Sequence, residues 1–596
     1  MSKLRCLSLG FMLLFLVPVG CKKTVTAPRV EGLQFTATEK NHQALAVTVS
    51  MRSPEGLIAR AADVSATLGL PTTAADIRAM ALARSEVPPA LLEPLDLSRP
   101  VAMAFVARDA KSPKGDPHAA VALSARNADA ANKFIATLGT ELSRKQNARE
   151  IKRTNGDTIW VVARQETLVL SETLEGLIAA GAHAIATRDS AKEDLRVSFF
   201  PDGLAASAQT DLKSKLEEFR KEFVESAVGQ ASARGGNPEA MRMYMNATFS
   251  MYSDWVLETR VGDLVLSVDE RDGVRLQGRV HAKKGTPLEK RFAENNPATL
   301  DPAVANGPAP ALIGAYNLAP HWIDAYVTMF SGLVNSMNLK DAPGETVLRD
   351  FFNTMPRALS VRMDSDGKHP AISMIGRKKG LQAESTFKGW TRFFDSGFMD
   401  TLLKAGGAPD APSISWKAKD SVGVFAATYP KKPKSEMGRE INKMVTAVFG
   451  EPRIAVTCDI RDEILMISNE PGSRARIDKM RASLSAPLPP EIKELVDGSR
   501  GMEGFVSVDI LAMVKLVTTS AGAMDPSAAQ VGAMMNFIPG LDKLRVPIIF
   551  GYRGGEALVL DMHIPMRTVR SVGSILGPLR GMGLGGPPGG ALDPGP

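Results

Sequence analysis

The sequence predicts an α+β protein with two similar-sized domains, each an antiparallel sheet covered by amphipathic helices. The chain has 596 residues, which is more than one hydrophobic core normally serves. Apolar and polar residues alternate in pairs of short segments separated by turn residues, which is typical of β-hairpins. Segments with helical periodicity lie between these hairpins, and a helix of this kind must bury its apolar stripe against a sheet.

Composition divides the chain into six segments. A Pro-rich stretch is predicted to link two domains, and the Gly/Pro-rich end has no apolar face to bury and is predicted to be disordered. The segments are a leader at 1–20, a tether at 21–34, domain 1 at 35–294, a linker at 295–308, domain 2 at 309–580 and a tail at 581–596.

The two domains share a sequence of features. Each begins with a strand followed by a helix that opens at a proline, Pro54 in the first and Pro320 in the second. Each ends with a hairpin, turning at 269–273 and at 553–555, and a last helix. Residue identity between the halves is low, so the pattern leaves open whether they are distant repeats.

Three further hairpins are predicted. One turns at Asn155-Gly156, a strong signal for a two-residue turn, and the others turn at 364–369 and 461–463. Ser365 and Lys368 fit the S-x-x-K pattern of serine acyl-enzymes, which requires the serine at the start of a helix. Their place at a hairpin tip favours a turn.

A long helix is predicted near 211–228. Its apolar stripe is expected to face a sheet, with the charged face in solvent. The stripe comprises Leu212, Leu216, Phe219, Phe223 and Ala227.

Charge and cysteine usage exclude several classes of protein. The formal net charge of +7 is small for this length, and no dense basic run contains interleaved aromatics, so a nucleic-acid partner is not expected. Of the three cysteines, Cys6 and Cys21 lie in or beside the leader. Cys458 alternates with apolar residues in a predicted strand, which indicates a buried core thiol. One body cysteine forms neither an internal disulfide nor a multi-cysteine zinc site.

The first residues have the features of a secretory leader. Lys3 and Arg5 precede the apolar run 7–19, which is short for a membrane span, and Gly20-Cys21 follows it. This stretch resembles a bacterial lipoprotein signal peptide, although Pro18 stands where leucine is usual.

The resemblance covers only these twenty-odd residues. It implies cleavage between Gly20 and Cys21, a diacylglyceryl group on the Cys21 thiol and acylation of its new amino group. Several acyl chains anchor a protein stably. Lys22 and Lys23 replace the aspartate that signals inner-membrane retention in enteric lipoproteins, which favours the outer membrane. The alternatives are an ordinary signal peptide and an uncleaved anchor.

No catalytic, cofactor-binding or metal-binding residue is predicted. The sequence contains no G-x-S-x-G, Walker or H-E-x-x-H motif, and its seven histidines are scattered without ligand spacing. The remaining candidates are methionines, which fill irregular cores or line apolar grooves and, as soft thioethers, can bind copper(I). They are Met241, Met243, Met245, Met251, Met534 and Met535.

Three functions are compatible with these features. We expect a non-catalytic, membrane-anchored envelope lipoprotein that binds an envelope protein or serves assembly. The first alternative is a carrier or chaperone for hydrophobic molecules, with a lipid partner and an apolar cavity. The second is an enzyme whose site is assembled from scattered residues.

Overall fold

The structure is a computed structural model. It describes residues 45–70, 72–85, 89–107, 118–153, 155–203, 212–233, 238–293, 296–307, 309–318, 320, 323–324, 327–328, 330–331, 345–365, 369–397, 399, 410–521, 541 and 544–581. The leader, the tether and nearly all of the predicted tail lie outside these ranges. None of the described helices is both long enough and apolar enough to cross a membrane.

The chain packs as two compact units that are not continuous in sequence. Unit 1 comprises residues 1–215, 259–283 and 564–596, and unit 2 comprises 216–258 and 284–563. The division differs from the continuous predicted domains 35–294 and 309–580 by the helical segment 216–258, by residues 284–294 and by the last helix.

Ten antiparallel strands form the sheet of unit 1. They are β1 Leu45–Met51, β2 Val101–Val106, β3 His118–Ser124, β4 Gly139–Lys145, β5 Ala148–Arg153, β6 Thr158–Arg164, β7 Thr167–Ser171, β8 Leu195–Phe199, β9 Thr259–Asp269 and β10 Gly273–Ala282. Their order across the sheet is β4-β5-β6-β7-β3-β2-β1-β8-β9-β10.

Helices fill the connections between these strands. They are α1 Pro54–Thr67, α2 Ala74–Ser85, α3 Pro89–Leu92, α4 Ala128–Leu138, α5 Leu174–Asp189, α6 Leu212–Ala233 and α7 Pro238–Glu258, and of these α7 and most of α6 belong to unit 2. As predicted, α1 opens at Pro54, and the Ser53 hydroxyl caps it by accepting a hydrogen bond from the Gly56 amide at 3.0 Å.

Unit 2 repeats this plan. Its strands are β11 Leu312–Asn317, β12 Ala358–Ser365, β13 Pro370–Arg377, β14 Ser413–Lys419, β15 Val422–Thr428, β16 Arg453–Arg461, β17 Ile464–Asn469, β18 Gly504–Asp509, β19 Pro547–Arg553 and β20 Leu558–Pro565. Their order is β14-β15-β16-β17-β13-β12-β11-β18-β19-β20, which is the order in unit 1 with every number raised by ten.

The remaining helices are α8 Pro287–Ala293, α9 Pro302–Ala305, α10 Glu345–Thr354, α11 Ala383–Asp395, α12 Glu436–Phe449, α13 Ser473–Ala482, α14 Pro490–Gly498, α15 Ile510–Ala521 and α16 Met566–Gly581. Residue 320 and the described residues of 323–331 are also helical, so the second strand-to-helix step is found at Pro320.

Two-residue turns occur in equivalent hairpins of the two units. The turns β4–β5 and β14–β15 each begin with a residue of positive φ, Gln146 at 58° and Asp420 at 54°. The turns β6–β7 and β16–β17 do the same with Gln165 at 53° and Asp462 at 54°. Such turns match the twist of the flanking strands. Strand order and turn geometry together support a duplicated fold, which the low sequence identity left open.

The predicted hairpins and fold class are confirmed. Asn155-Gly156 joins β5 to β6, residues 269–273 join β9 to β10, and 461–463 join β16 to β17. Ser365 pairs with Pro370 across the β12–β13 hairpin, so it does not begin a helix.

The predicted linker 295–308 is in part helical and buried. Its described part contributes α9, whose Val304 is 1% exposed and packs in a core with Ile313 and Ile375. Asp301 caps α9 at the Ala303 amide. Prolines here begin a buried helix instead of keeping the chain extended.

The predicted stripe on the long helix is wrong in part. Phe219 and Phe223 of α6 are 56% and 44% exposed, whereas Val224 and Val228 are buried. The two rings stack at 5.9 Å, and Phe219 lies at the same distance from Phe249 of α7. Phe219 therefore contacts a second helix, and the buried face belongs to the smaller valines.

Candidate functional site: an apolar pocket in unit 2

A pocket of about 390 Å³ lies within unit 2, between the helical residues near 323–331, α10, α11 and β15. We call it the aromatic pocket. Every lining side chain that the structure describes is apolar. Leu348 and Met399 line it together with six phenylalanines, namely Phe330, Phe351, Phe352, Phe393, Phe394 and Phe425.

Residues three and four positions apart on α10 form one wall of the aromatic pocket. Leu348, Phe351 and Phe352 lie one turn apart on one side of the helix and face the pocket. Arg349 lies on the exposed side and pairs with Asp324 at 2.5 Å and with Glu345 of its own helix at 2.8 Å. The Asp324 pair ties α10 to the helical residues on the opposite wall.

Helix α11 supplies the second wall. Phe393 stacks on Phe351 with ring centroids 4.3 Å apart, and Phe394 contacts Phe425 of β15 at 5.2 Å. Behind these rings, Trp390 is 4% exposed and lies 5.8 Å from Phe351. Stacked and tilted contacts of this kind add to the free energy gained by burying the rings, and they fix the shape of the wall.

The pocket has a buried floor and a more accessible rim. Leu348 is 1% exposed and Phe393 is 6% exposed, so both lie at the inner end. The other lining residues are half-buried. The half-buried rings therefore form the more accessible side of the pocket, and Leu348 and Phe393 form its buried side.

Polar atoms in the wall bond to one another. The Trp390 indole donates to the Thr354 hydroxyl at 2.9 Å, which in turn donates to the Phe351 carbonyl at 2.7 Å. The indole of Trp416 on β14 donates to the Thr391 hydroxyl at 3.0 Å. These indoles are thus satisfied inside the protein, and the pocket surface presents hydrocarbon and one thioether.

Two positions equivalent to pocket residues are buried in unit 1. Phe425 is the fourth residue of β15, and Ile151, the fourth residue of β5, is 1% exposed inside a continuous aliphatic core. Phe393 is the eleventh residue of α11, and its counterpart on α4 is the buried Leu138. At these two positions unit 1 has buried aliphatic side chains, and unit 2 has large rings that line a pocket.

Cys458, predicted as a core thiol, is confirmed as one. It is 4% exposed and packs with Trp390 behind the pocket wall. Burial raises the pKa of its thiol to about 12, so the thiolate that would act as a nucleophile is suppressed. Gly20 and Cys21, the predicted cleavage and lipidation residues, lie outside the described residues.

The described methionine candidates, Met241 and Met245, do not line the aromatic pocket. Met241 and Met245 are half-buried on α7, while the side chains of Met243 and Met251 and all of Met534 and Met535 lie outside what the structure describes. The one methionine of the aromatic pocket, Met399, was missed by the sequence reasoning.

A second cleft, of about 470 Å³, lies in unit 1 beside α1, the β9–β10 turn and α16. It is lined by three arginines and two acidic residues, among them Arg60, which donates to the buried Asp194 at 2.5 Å. Its opposite charges favour no single ligand class. Within the described part of the chain, no three His, Cys, Asp or Glu residues form a group that could hold a metal ion.

No protein-family model, curated protein or solved structure matches the chain.

Proposed function

We propose that this protein is a lipid-anchored component of the bacterial cell envelope that binds a hydrophobic molecule in the aromatic pocket of unit 2. The observation that carries the proposal is the pocket itself, in which six phenylalanines, a leucine and a methionine surround about 390 Å³. Of the three functions compatible with the sequence, the carrier of hydrophobic molecules is the one that this geometry favours.

Apolar side chains do not normally line an open space without packing against other atoms. Protein interiors pack as densely as organic crystals, and a void forfeits contacts on each of its walls. The same fold is closed by Ile151 and Leu138 in unit 1, so the strand plan does not require an open space. Pockets of about 300–1,000 Å³ with mostly apolar walls are typical of small-molecule sites.

The predicted anchor at Cys21 is compatible with this function. Hydrophobic molecules partition into bilayers, and a protein held at the membrane surface would meet them at high local concentration. We therefore propose an outer-membrane location and leave its periplasmic or surface face open. The proposal assigns no catalytic step to the protein.

Binding is tested with a fluorescent apolar probe such as N-phenylnaphthylamine. The probe is added to the purified chain from which only the leader, residues 1–20, has been removed. Leu348→Trp places an indole at the floor and should weaken probe binding at least tenfold. Leu560→Trp makes the same substitution at a residue that is 52% exposed on β20 and should leave binding unchanged. Met399→Trp places an indole at the rim of the pocket and should also weaken binding. It provides a second test of the pocket in case Leu348→Trp does not fold.

Circular dichroism establishes that each variant is folded. The proposal is refuted if the wild-type chain does not bind the probe, or if folded Leu348→Trp and Met399→Trp both bind it as the wild type does.

The anchor is tested separately by labelling cells with an alkyne fatty acid. Cys21→Ala should lose the label, whereas Cys458→Ala, a matched change at the buried thiol, should keep it. Label that persists in Cys21→Ala would rule out the lipoprotein prediction.

A further inference from the structure

We infer that the aromatic pocket takes a linear alkyl chain of about twelve carbons, end first, with the polar head of the molecule left outside. This inference names the ligand class and rests on the proposed function. Three properties of the pocket support this inference. They are the volume of the pocket, the orientation of its aromatic rings, and the hydrogen bonds that already satisfy the polar groups of its wall.

The volume of the pocket determines the length of alkyl chain that it can hold. A group the size of a water molecule occupies about 30 Å³. A pocket of about 390 Å³ therefore has room for roughly a dozen methylene-sized groups. A chain of this length fills the pocket, while a longer chain leaves its remaining carbons outside.

The orientation of the rings favours a flexible chain over a flat polycyclic molecule. The two nearly parallel ring pairs are Phe351–Phe393, at 4.3 Å and 26°, and Phe330–Phe352, at 6.5 Å and 25°. Both separations are those of rings in direct contact, so neither pair leaves a slot for a third ring.

Neighbouring pairs are close to perpendicular. Phe351 and Phe352 meet at 78°, and Phe393 and Phe394 meet at 71°. A wall of rings at mixed angles is irregular, and a chain with many rotatable bonds can follow it. A rigid planar ligand would need two parallel faces that are separated by its own thickness.

The polar groups place the head outside. The indoles of Trp390 and Trp416 already donate to Thr354 and Thr391. A buried carboxylate, hydroxyl or amide of a ligand would find no partner on an apolar wall and would incur its desolvation penalty. The methyl end of an alkyl chain incurs no such penalty and can reach the floor.

Leu348 therefore determines the accepted length. It is 1% exposed and lies at the inner end of the pocket, where the methyl end of the chain would stop. Replacing it with alanine removes three carbons from the floor and should admit two to three more carbons of ligand.

The test measures affinity for n-alkyl carboxylates of eight to eighteen carbons, below their micelle concentrations, by titration calorimetry and Trp fluorescence. Trp416 is suited to report binding because it stacks on Phe394 at 5.4 Å. Affinity should rise about fourfold per carbon, the factor that about 0.8 kcal/mol for each buried methylene corresponds to, and reach a plateau near twelve. Pyrene should bind at least tenfold more weakly than the twelve-carbon chain.

Leu348→Ala should move the plateau to fourteen or fifteen carbons. Leu495→Ala makes the same truncation in another core of unit 2, where the side chain is 4% exposed, and should leave the plateau unchanged. An unmoved plateau in folded Leu348→Ala would overturn the role assigned to Leu348.

The outcomes separate the two proposals. If neither alkyl carboxylates, pyrene nor N-phenylnaphthylamine binds, the proposed function fails. If an apolar probe binds but pyrene equals or exceeds the alkyl series, or affinity does not depend on chain length, the proposed function stands and the alkyl-chain inference is overturned.

Discussion

The difference between the two units makes a quantitative prediction about Ile151 and Phe425, which occupy the same position in β5 and β15. Both are changed to alanine. If unit 1 is packed and unit 2 holds a real gap, the smaller residue should contribute more to stability than the larger one.

The magnitudes follow from burial. Ile151 is 1% exposed, and removing three buried carbons costs about 2.4 kcal/mol in transfer free energy before the cavity is counted. Ile→Ala changes in closed cores cost about 2–5 kcal/mol, so we expect about 3–4 kcal/mol for Ile151→Ala. Phe425 is half-buried and borders empty space on one side. We expect about 1.5–2 kcal/mol for Phe425→Ala, roughly half of the usual cost for a core phenylalanine.

The assay must resolve the units, because a chain with two compact units has no single free energy of unfolding. Hydrogen exchange followed by mass spectrometry gives opening free energies for peptides from β4–β7 and from β14–β17 separately. Each substitution should act on its own unit. If Phe425→Ala lowers the opening free energy of its unit as much as Ile151→Ala does, the pocket wall is packed like an ordinary core. The conclusion that Phe425 borders an open space would then be wrong.

Three further predictions concern stability and reactivity. Burial alone would raise the pKa of Asp263, but hydrogen bonds from His281, Ser198 and Arg196 outweigh it and lower the pKa to about 2. Because the folded pKa lies below the ordinary 3.8, about 2 kcal/mol of stability is present above pH 4 and lost as the pH falls to 2. The difference between wild type and Asp263→Asn in the opening free energy of unit 1, measured by hydrogen exchange, should therefore shrink over that range, and a constant difference would contradict the assignment. Cys458 should react with a disulfide reagent only as fast as the native chain opens, whereas rapid labelling would contradict its burial. Ser53→Ala should destabilise α1 by about 1 kcal/mol, measured by hydrogen exchange of that helix. An unchanged exchange rate would show that the Ser53 cap does not stabilise the helix.

Local patterns predicted much of the fold. The turn at Asn155-Gly156, the alternation around Cys458 and the proline that opens α1 are short-range signals, and the structure confirms each of them. The features that the sequence did not predict required long-range information. Leu300 and Val304 look like linker residues because the strands that bury them follow later in the sequence. Phe219 looks like a core residue because helical periodicity does not say which neighbour an apolar face will contact.

The candidate site was not predicted, although a signal was present. Phe-Phe pairs occur at 351–352 and at 393–394, each on a helix. Sequence reasoning treats such pairs as core, which is their usual role. Only the packing of α10 against α11 shows that their rings leave a gap.

The sequence by itself determined the α+β class, the hairpins and the buried thiol, and it carries the prediction of a lipid anchor at Cys21. These follow from residues close together in the chain, whose periodicity and turn preferences act locally. Tertiary structure alone decided that the two halves share one strand order and that one of them holds an apolar pocket. Both depend on contacts between segments far apart in sequence, because the volume left between side chains is set by how whole elements pack.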